Sequence, residues 1–183
     1  DTVNKEIYRC KSITAALLNF ARKSDANYLL IDVNKVIENT VNLVKYKANI
    51  SGITINLKLA DNLTKIVADE NRLHQVFLNL LINSMDQLKD TGNITIASEI
   101  FYAKVKITVS DNGPGIKPEN LDKIFKPFFS TKPEGQGAGL GLTISRQIIE
   151  AHKGNIEVMS EVGRKTDFII TLPISNETIM SIN

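Results

Sequence analysis

Two periods of hydrophobic recurrence run along this chain, and the points where one gives way to the other mark its predicted elements. Val3, Ile7, Cys10, Thr14, Leu17 and Ala21 alternate spacings of four and three, a heptad seam on a helix of about six turns. Such a seam needs a surface to pack on, from its own domain or from a second chain. Asn27 to Asp32 reads as a linker, and Asp32 is placed to cap a second helix with apolar positions Val33, Val36, Ile37, Val41 and Val44, stopped near Gly52. At Ile53, Ile55, Leu57 and Leu59 the period drops to two, as in a strand with one wet face. A loop and a short extended piece at Ile66-Val67 follow.

Asp69 opens a third helix that continues to about Lys89 and carries most of the apolar bulk. Leu73, Val76, Phe77, Leu80, Leu81, Met85 and Leu88 fill one broad face, while Leu78 and Ile82 make the opposite side apolar as well. A narrow stripe of Arg72, Gln75, Asn79, Asn83 and Asp86 remains, so the helix is expected to be buried nearly all round. Buried amides need partners, either neighbouring backbone or a ligand. Residues 93 to 101 and 104 to 111 then form a hairpin that ends at Asp111, with Ile94, Ile96, Val105, Ile107 and Val109 facing inward.

Pro118 to Ile124 reads as a short helix, and Phe125 to Gly139, aperiodic and rich in Gly, Pro, Lys and Phe, has the composition of a lid. Leu140 to His152 is a fourth helix ending at Gly154, and strands at Asn155 to Ser160 and Thr166 to Pro173 close the sheet. Strands gathered into one mixed sheet with helices on one face give an α+β two-layer sandwich preceded by one long helix. The divisions expected are a helix over 1–25, a domain over 26–175 and a frayed tail over 176–183.

Composition excludes several classes of function. With 22 basic against 20 acidic residues the net charge is only +2, which leaves neither the footprint of a nucleic-acid binder nor a polybasic membrane patch, so an anionic ligand must be held locally. Cys10 is the single cysteine, which rules out an internal disulfide and makes a reducing, cytoplasmic setting the default. No apolar run approaches the ~20 residues of a membrane-spanning helix, and no secretory signal pattern is present. The chain begins at Asp1 in place of methionine, as expected of a fragment of something longer.

The candidate chemistry lies in Asp111-Asn-Gly113-Pro-Gly115-Ile116 and in Gly135-Gln-Gly137-Ala-Gly139-Leu140-Gly141-Leu142. A lone acid at a strand end can accept a hydrogen bond from an exocyclic amine, and glycines beside it let backbone approach a flat base; adenine fits that description. The later glycines precede a helix, so they can offer backbone N–H groups and the positive end of the helix dipole to phosphates. Either run alone is equally consistent with simple turns.

In order, these pieces resemble the catalytic, ATP-binding domain of sensor histidine kinases, over Ile31 to Pro173. Asn79-Leu-Leu-Ile-Asn83-Ser resembles that family's N box, and Asp111-Asn-Gly113-Pro-Gly115 its first glycine box. Ile124-Phe125-Lys-Pro-Phe128-Phe129-Ser-Thr-Lys132 resembles the F box, and Gly137-Ala-Gly139-Leu-Gly141-Leu the second glycine box. Arg9 to Arg22 looks like the second helix of the dimerisation and histidine-phosphotransfer hairpin. The resemblance implies a two-layer sandwich of the GHKL or Bergerat type. It also implies a protein-histidine kinase that uses Mg-ATP, pairs through its phosphotransfer helices and passes phosphate to a response regulator. His74 and His152 both read as ordinary domain residues, so the acceptor histidine is expected outside this chain.

The resemblance also assigns residues. Asn83 is the expected Mg²⁺ ligand, a hard, neutral oxygen suited to a site where the triphosphate supplies the charge. Asn79, one turn earlier, is expected near the metal and phosphates; related ATPases such as gyrase have a glutamate there, and an amide, unable to accept a proton, suits transfer to a protein in place of hydrolysis. Asp111 is expected to take the adenine amine, aided by Thr166. Gly113, Gly115 and Ile116 lie against the base, and Gly137, Gly139, Leu140, Gly141 and Leu142 form the phosphate-facing entry to the helix. Lys132 either reaches a phosphate or stays solvated. Phe125, Phe128 and Phe129 are expected to anchor the lid. Lys165 and Ala138 depart from the family pattern, which weakens the local assignment at Thr166 and at the second glycine box. A serine kinase of the anti-sigma-factor type and a docking module without nucleotide affinity are the alternatives.

Overall fold

The structure is a computed structural model that describes residues 26–88, 91–133 and 138–174; the heptad helix over 1–25 and the tail over 176–183 lie outside them. Asp32 starts the first helix by accepting bonds from the backbone N–H groups of Asn34 at 3.0 Å and Lys35 at 3.4 Å. That helix, α1 (Val33–Ile50), buries Val33, Val36, Ile37, Val41 and Val44 and ends where Gly52 takes a left-handed φ of 64°. Two further long helices lie beside it, α2 (Glu70–Leu88) and α4 (Gly141–Ala151). Asp69 caps α2 through the Arg72 N–H at 3.1 Å. α2 packs between α1 and α4, and its Leu73, Val76, Phe77, Leu80 and Leu81 are almost fully buried.

The strands β2 (Ile53–Lys58), β4 (Gly92–Phe101), β5 (Lys104–Asp111), β6 (Asn155–Glu161) and β7 (Lys165–Pro173) make a five-stranded sheet in the order β2-β4-β5-β7-β6. β2 and β4 run parallel, and the other neighbours are antiparallel. Period-two alternation turns Ile94, Ile96, Val105, Ile107, Val109, Phe168, Ile170 and Leu172 toward the helices. The opposite face is wet and carries ion pairs such as Lys106 with Glu99 at 2.8 Å. The two-layer α+β sandwich expected from the sequence is the observed architecture.

Four local expectations are corrected. Leu29–Ile31, within the stretch read as a linker, is strand β1, antiparallel to β3 (Ile66–Ala68), so a two-stranded sheet accompanies the larger one. Three residues are too few to display a period, and their partner is distant in sequence. The helix expected over Pro118 to Ile124 stops early, as α3 (Pro118–Leu121), and continues as turns closed by Asn120 O. α2 is not buried all round: Gln75, Asn79 and Asn83 are half-buried because they line a cleft and not another layer, and Leu78 and Ile82 are half-buried as well. Phe128 does not anchor the lid, being 62% exposed with a left-handed φ of 64°.

Candidate functional site

β5 delivers Asp111 to the floor of a cavity of about 760 Å³ that opens between α2, α4 and residues of the segments Gly115 to Lys132 and Ala138 to Leu140. Only 4% of Asp111 is exposed. Its Oδ1 accepts the Gly113 N–H at 3.0 Å and its Oδ2 accepts the Ser84 hydroxyl at 2.9 Å, so both oxygens are oriented and lone pairs remain for a ligand. Burial pushes the Asp111 carboxyl above the usual carboxylate range, the bonds from Ser84 and Gly113 oppose that rise, and the charge of Asp167 adds to it. Thr166 lies opposite Asp111 in the β5–β7 register and also lines the cavity. The Thr166 hydroxyl is 3.2 Å from that of Ser160, which accepts the Ile116 N–H at 2.8 Å and so ties the loop after β5 to β6.

The amide stripe of α2 forms one wall, with Gln75, Asn79 and Asn83 all lining the cavity. Asn79 donates from Nδ2 to Gly141 O at 3.2 Å and to Ser145 Oγ at 3.4 Å, which joins α2 to the first turn of α4. Asn83 makes no side-chain hydrogen bond among the described residues, so its amide is available to a ligand. Beside this wall stands the N-terminus of α4, whose cap residue is Leu140 and which has no side-chain cap. Its first N–H groups have no side-chain acceptor, and Leu140, Gly141 and Leu142 line the cavity, an arrangement suited to an anion.

Loop residues cover part of the opening. Gly139 takes a φ of 65°, and a Cβ there would stand 2.5 Å from the Phe128 carbonyl carbon, so only glycine lets these two lid segments touch. Phe125 is buried edge-on against Phe168 and lies under the Arg146 guanidinium, 3.8 Å from the ring centre. Phe129 lines the cavity and packs against the core. Lys132 also lines the cavity, but its ammonium is paired with Asp86 at 2.7 Å across the lid–α2 gap.

The fold thus gathers at one cavity Asn79, Asn83, Asp111, Gly115, Ile116, Lys132, Gly139, Leu140, Gly141, Leu142 and Thr166. Gly113 does not line it; its N–H holds the Asp111 carboxylate, and a Cβ there would meet Asp111 Oδ1 at 2.8 Å. Gly137 lies outside the described residues. Ser84, present in the sequence only as the end of the N-box stretch, and Ser160 have roles that the sequence does not display, because a serine inside an element has no periodic signal and each acts on a partner distant in the chain. Both histidines are engaged in packing. His152, 5% exposed, donates from Nδ1 to Ile148 O and accepts the Asp69 N–H at Nε2, while His74 Nδ1 bonds the Thr40 hydroxyl.

The cavity suits a nucleotide on its own chemistry. Its volume falls within the ~300–1,000 Å³ of small-molecule sites, and its lining includes both a buried acceptor, Asp111, and an uncapped helix N-terminus. Among the described residues there is no group of three His, Cys, Asp or Glu side chains able to hold a metal by itself. A Mg²⁺ ion here would take Asn83 and complete its shell from phosphate and water.

Comparison with known proteins agrees with this geometry. Residues 68–176 match the family described as histidine kinase-, DNA gyrase B- and HSP90-like ATPases. Sensor histidine kinase ZraS of Escherichia coli K12 is 36% identical over 171 residues, 93% of this chain, and sporulation kinase E of Bacillus subtilis 168 is 35% identical over 175 residues, 95% of this chain. The chain spans 36% and 23% of the length of those two relatives. The catalytic domain of histidine kinase ThkA superposes with a TM-score of 0.75 at 34% identity, over 83% of this chain and 99% of that one. Full-length ShkA in complex with AMPPNP gives 0.80 at 28% identity, over 90% of this chain and 35% of that one. ThkA in complex with response regulator TrrA gives 0.80 at 29%, over 96% and 50%. With more than half of its residues matched and these catalytic domains as its structural neighbours, the chain belongs to the histidine kinase-, DNA gyrase B- and HSP90-like ATPase family, where its relatives are sensor histidine kinases.

Proposed function

We propose that this chain binds Mg-ATP and, within a longer polypeptide, transfers the γ-phosphoryl group to a histidine on a phosphotransfer helix for relay to a response regulator. The observation that carries the reading is one cavity lined both by Asp111, whose oxygens are held by Ser84 and Gly113, and by the uncapped N-terminus of α4. In this reading Asp111 accepts the adenine amine, with Thr166 alongside, and Gly115 and Ile116 lie against the base. Asn83 offers a neutral oxygen to Mg²⁺, whose charge would neutralise the phosphates. The glycine-flanked start of α4 receives phosphate oxygens on backbone N–H groups, and Asn79 holds that turn in place from α2. Lys132 joins the phosphates by exchanging Asp86 for them.

Two relatives' complexes support the extension by similarity, one kinase holding AMPPNP and one holding a response regulator. Transfer to a protein instead of to water is supported by Asn79, whose amide cannot serve as a general base. His74 and His152, engaged in packing, leave no acceptor among the described histidines. The test is to incubate the chain with γ-labelled ATP, alone and with a histidine-bearing phosphotransfer hairpin. Acid-labile label on the hairpin, and none accumulating on the chain, is the expected outcome. Acid-stable phosphoserine on a partner would instead favour a serine kinase, and rapid release of free phosphate would contradict the role given to Asn79.

A further inference from the structure

The buried Ser84 hydroxyl is a polar group on the interior side of α2 that base and phosphate recognition leave unassigned. It is 1% exposed, borders the cavity and donates to Asp111 Oδ2 at 2.9 Å. We propose that Ser84 is a positioning residue for base recognition, pinning one oxygen of Asp111 while the Gly113 N–H pins the other, so that the carboxylate meets an incoming base amine in a single orientation. The inference rests on the nucleotide reading above and adds to it a residue that never touches the phosphates.

The geometry explains why two donors are present. A carboxylate taken out of water loses hydration and drifts toward its protonated form, in which one oxygen becomes a donor and no longer suits an amine. Ser84 approaches from α2 and Gly113 from the loop after β5, and both favour the ionised form. From β7 the charged group acting on Asp111 is Asp167, which works against ionisation and is itself paired with Lys165 at 2.6 Å. Removing the hydroxyl therefore has two consequences. The carboxylate gains rotational freedom, and it protonates at higher pH.

The experiment titrates the chain and Ser84→Ala with a non-hydrolysable Mg-ATP analogue from acid to neutral pH, then repeats both with the corresponding purine nucleotide lacking the 6-amino group. Alanine favours the helix, so the variant should fold; if its circular dichroism shows otherwise, Ser84→Cys, close in volume and a weaker donor, takes its place. Expected are a roughly tenfold loss of affinity for the ATP analogue at neutral pH, a midpoint of acid loss moved to higher pH, and a smaller preference for the amino-bearing base. In the Asp111→Asn background Ser84→Ala should cause no comparable further loss. Unchanged affinity and midpoint in Ser84→Ala, or an equal loss at every pH and for both bases, overturns the inference while leaving nucleotide binding intact. Failure of the unaltered chain to bind either nucleotide overturns both.

Discussion

At the scale of single residues the site depends on keeping a carboxylate ionised where water is scarce. Because the folded-state value of Asp111 is raised, the fold is favoured by its protonation at low pH and loses that advantage as pH rises through the raised value. Asp111→Asn removes the buried charge at neutral pH while keeping one oxygen to accept the Gly113 N–H, and the Ser84 hydroxyl can turn to accept. Differential scanning calorimetry of the nucleotide-free variant should therefore show a melting temperature at or above that of the unaltered chain; a fall of several degrees would contradict the sign. For the unaltered chain the same shift predicts that nucleotide affinity falls as pH drops toward the raised value of Asp111. Asn83→Ala is expected to leave stability within about 0.5 kcal/mol, since the side chain has no described hydrogen bond to lose. Its binding of the nucleotide should no longer be strengthened by Mg²⁺, as titrations with and without the ion would reveal.

At the scale of elements, backbone geometry matters more than side-chain identity. Gly115 has a φ of 72°, and a Cβ there would stand 2.4 Å from the Glu161 carbonyl oxygen, as close a fit as at Gly139. Gly115→Ala should cost about 1–3 kcal/mol in chemical denaturation, because the residue would be strained and the loop after β5 pushed off β6. A silent substitution would show that this approach is not needed. Phe77→Ala, in the fully buried centre of α2, should cost about 3–5 kcal/mol by the same measurement. The strength of the apolar period made α1, α2 and the strands from β4 to β7 readable from the chain, and Asp32 and Gly52 marked the limits of α1. The amide stripe of α2 was readable as well, but its surroundings were not: periodicity says which residues share a face, and only tertiary structure says whether that face meets protein or a cleft. β1 and the early end of α3 were hidden because three- and four-residue elements show no period.

At the scale of the whole molecule, pairings between distant segments create the site. β2 lies at the edge of the sheet and runs parallel to β4, and β7 inserts between β5 and β6, which brings Thr166 to Asp111. Sequence order alone does not state this arrangement; motif order did point to Asn83, Asp111, Gly115, Gly139 and Gly141, which line the cavity, because each has a chemistry suited to a different part of a nucleotide. Ser84 is legible in the sequence only as the end of the N-box stretch, since a serine declares its role only through the partner it meets. Among the described residues no helix is long and apolar enough to cross a membrane. The central claim is that the floor of this cavity reads the base of ATP through Asp111, and calorimetric titration of the chain with a non-hydrolysable ATP analogue in the presence of Mg²⁺, beside Asp111→Asn, tests it most directly. The account predicts saturable one-to-one binding, weakened about tenfold or more in the variant; absence of binding in the unaltered chain, or equal affinity in both, would contradict it.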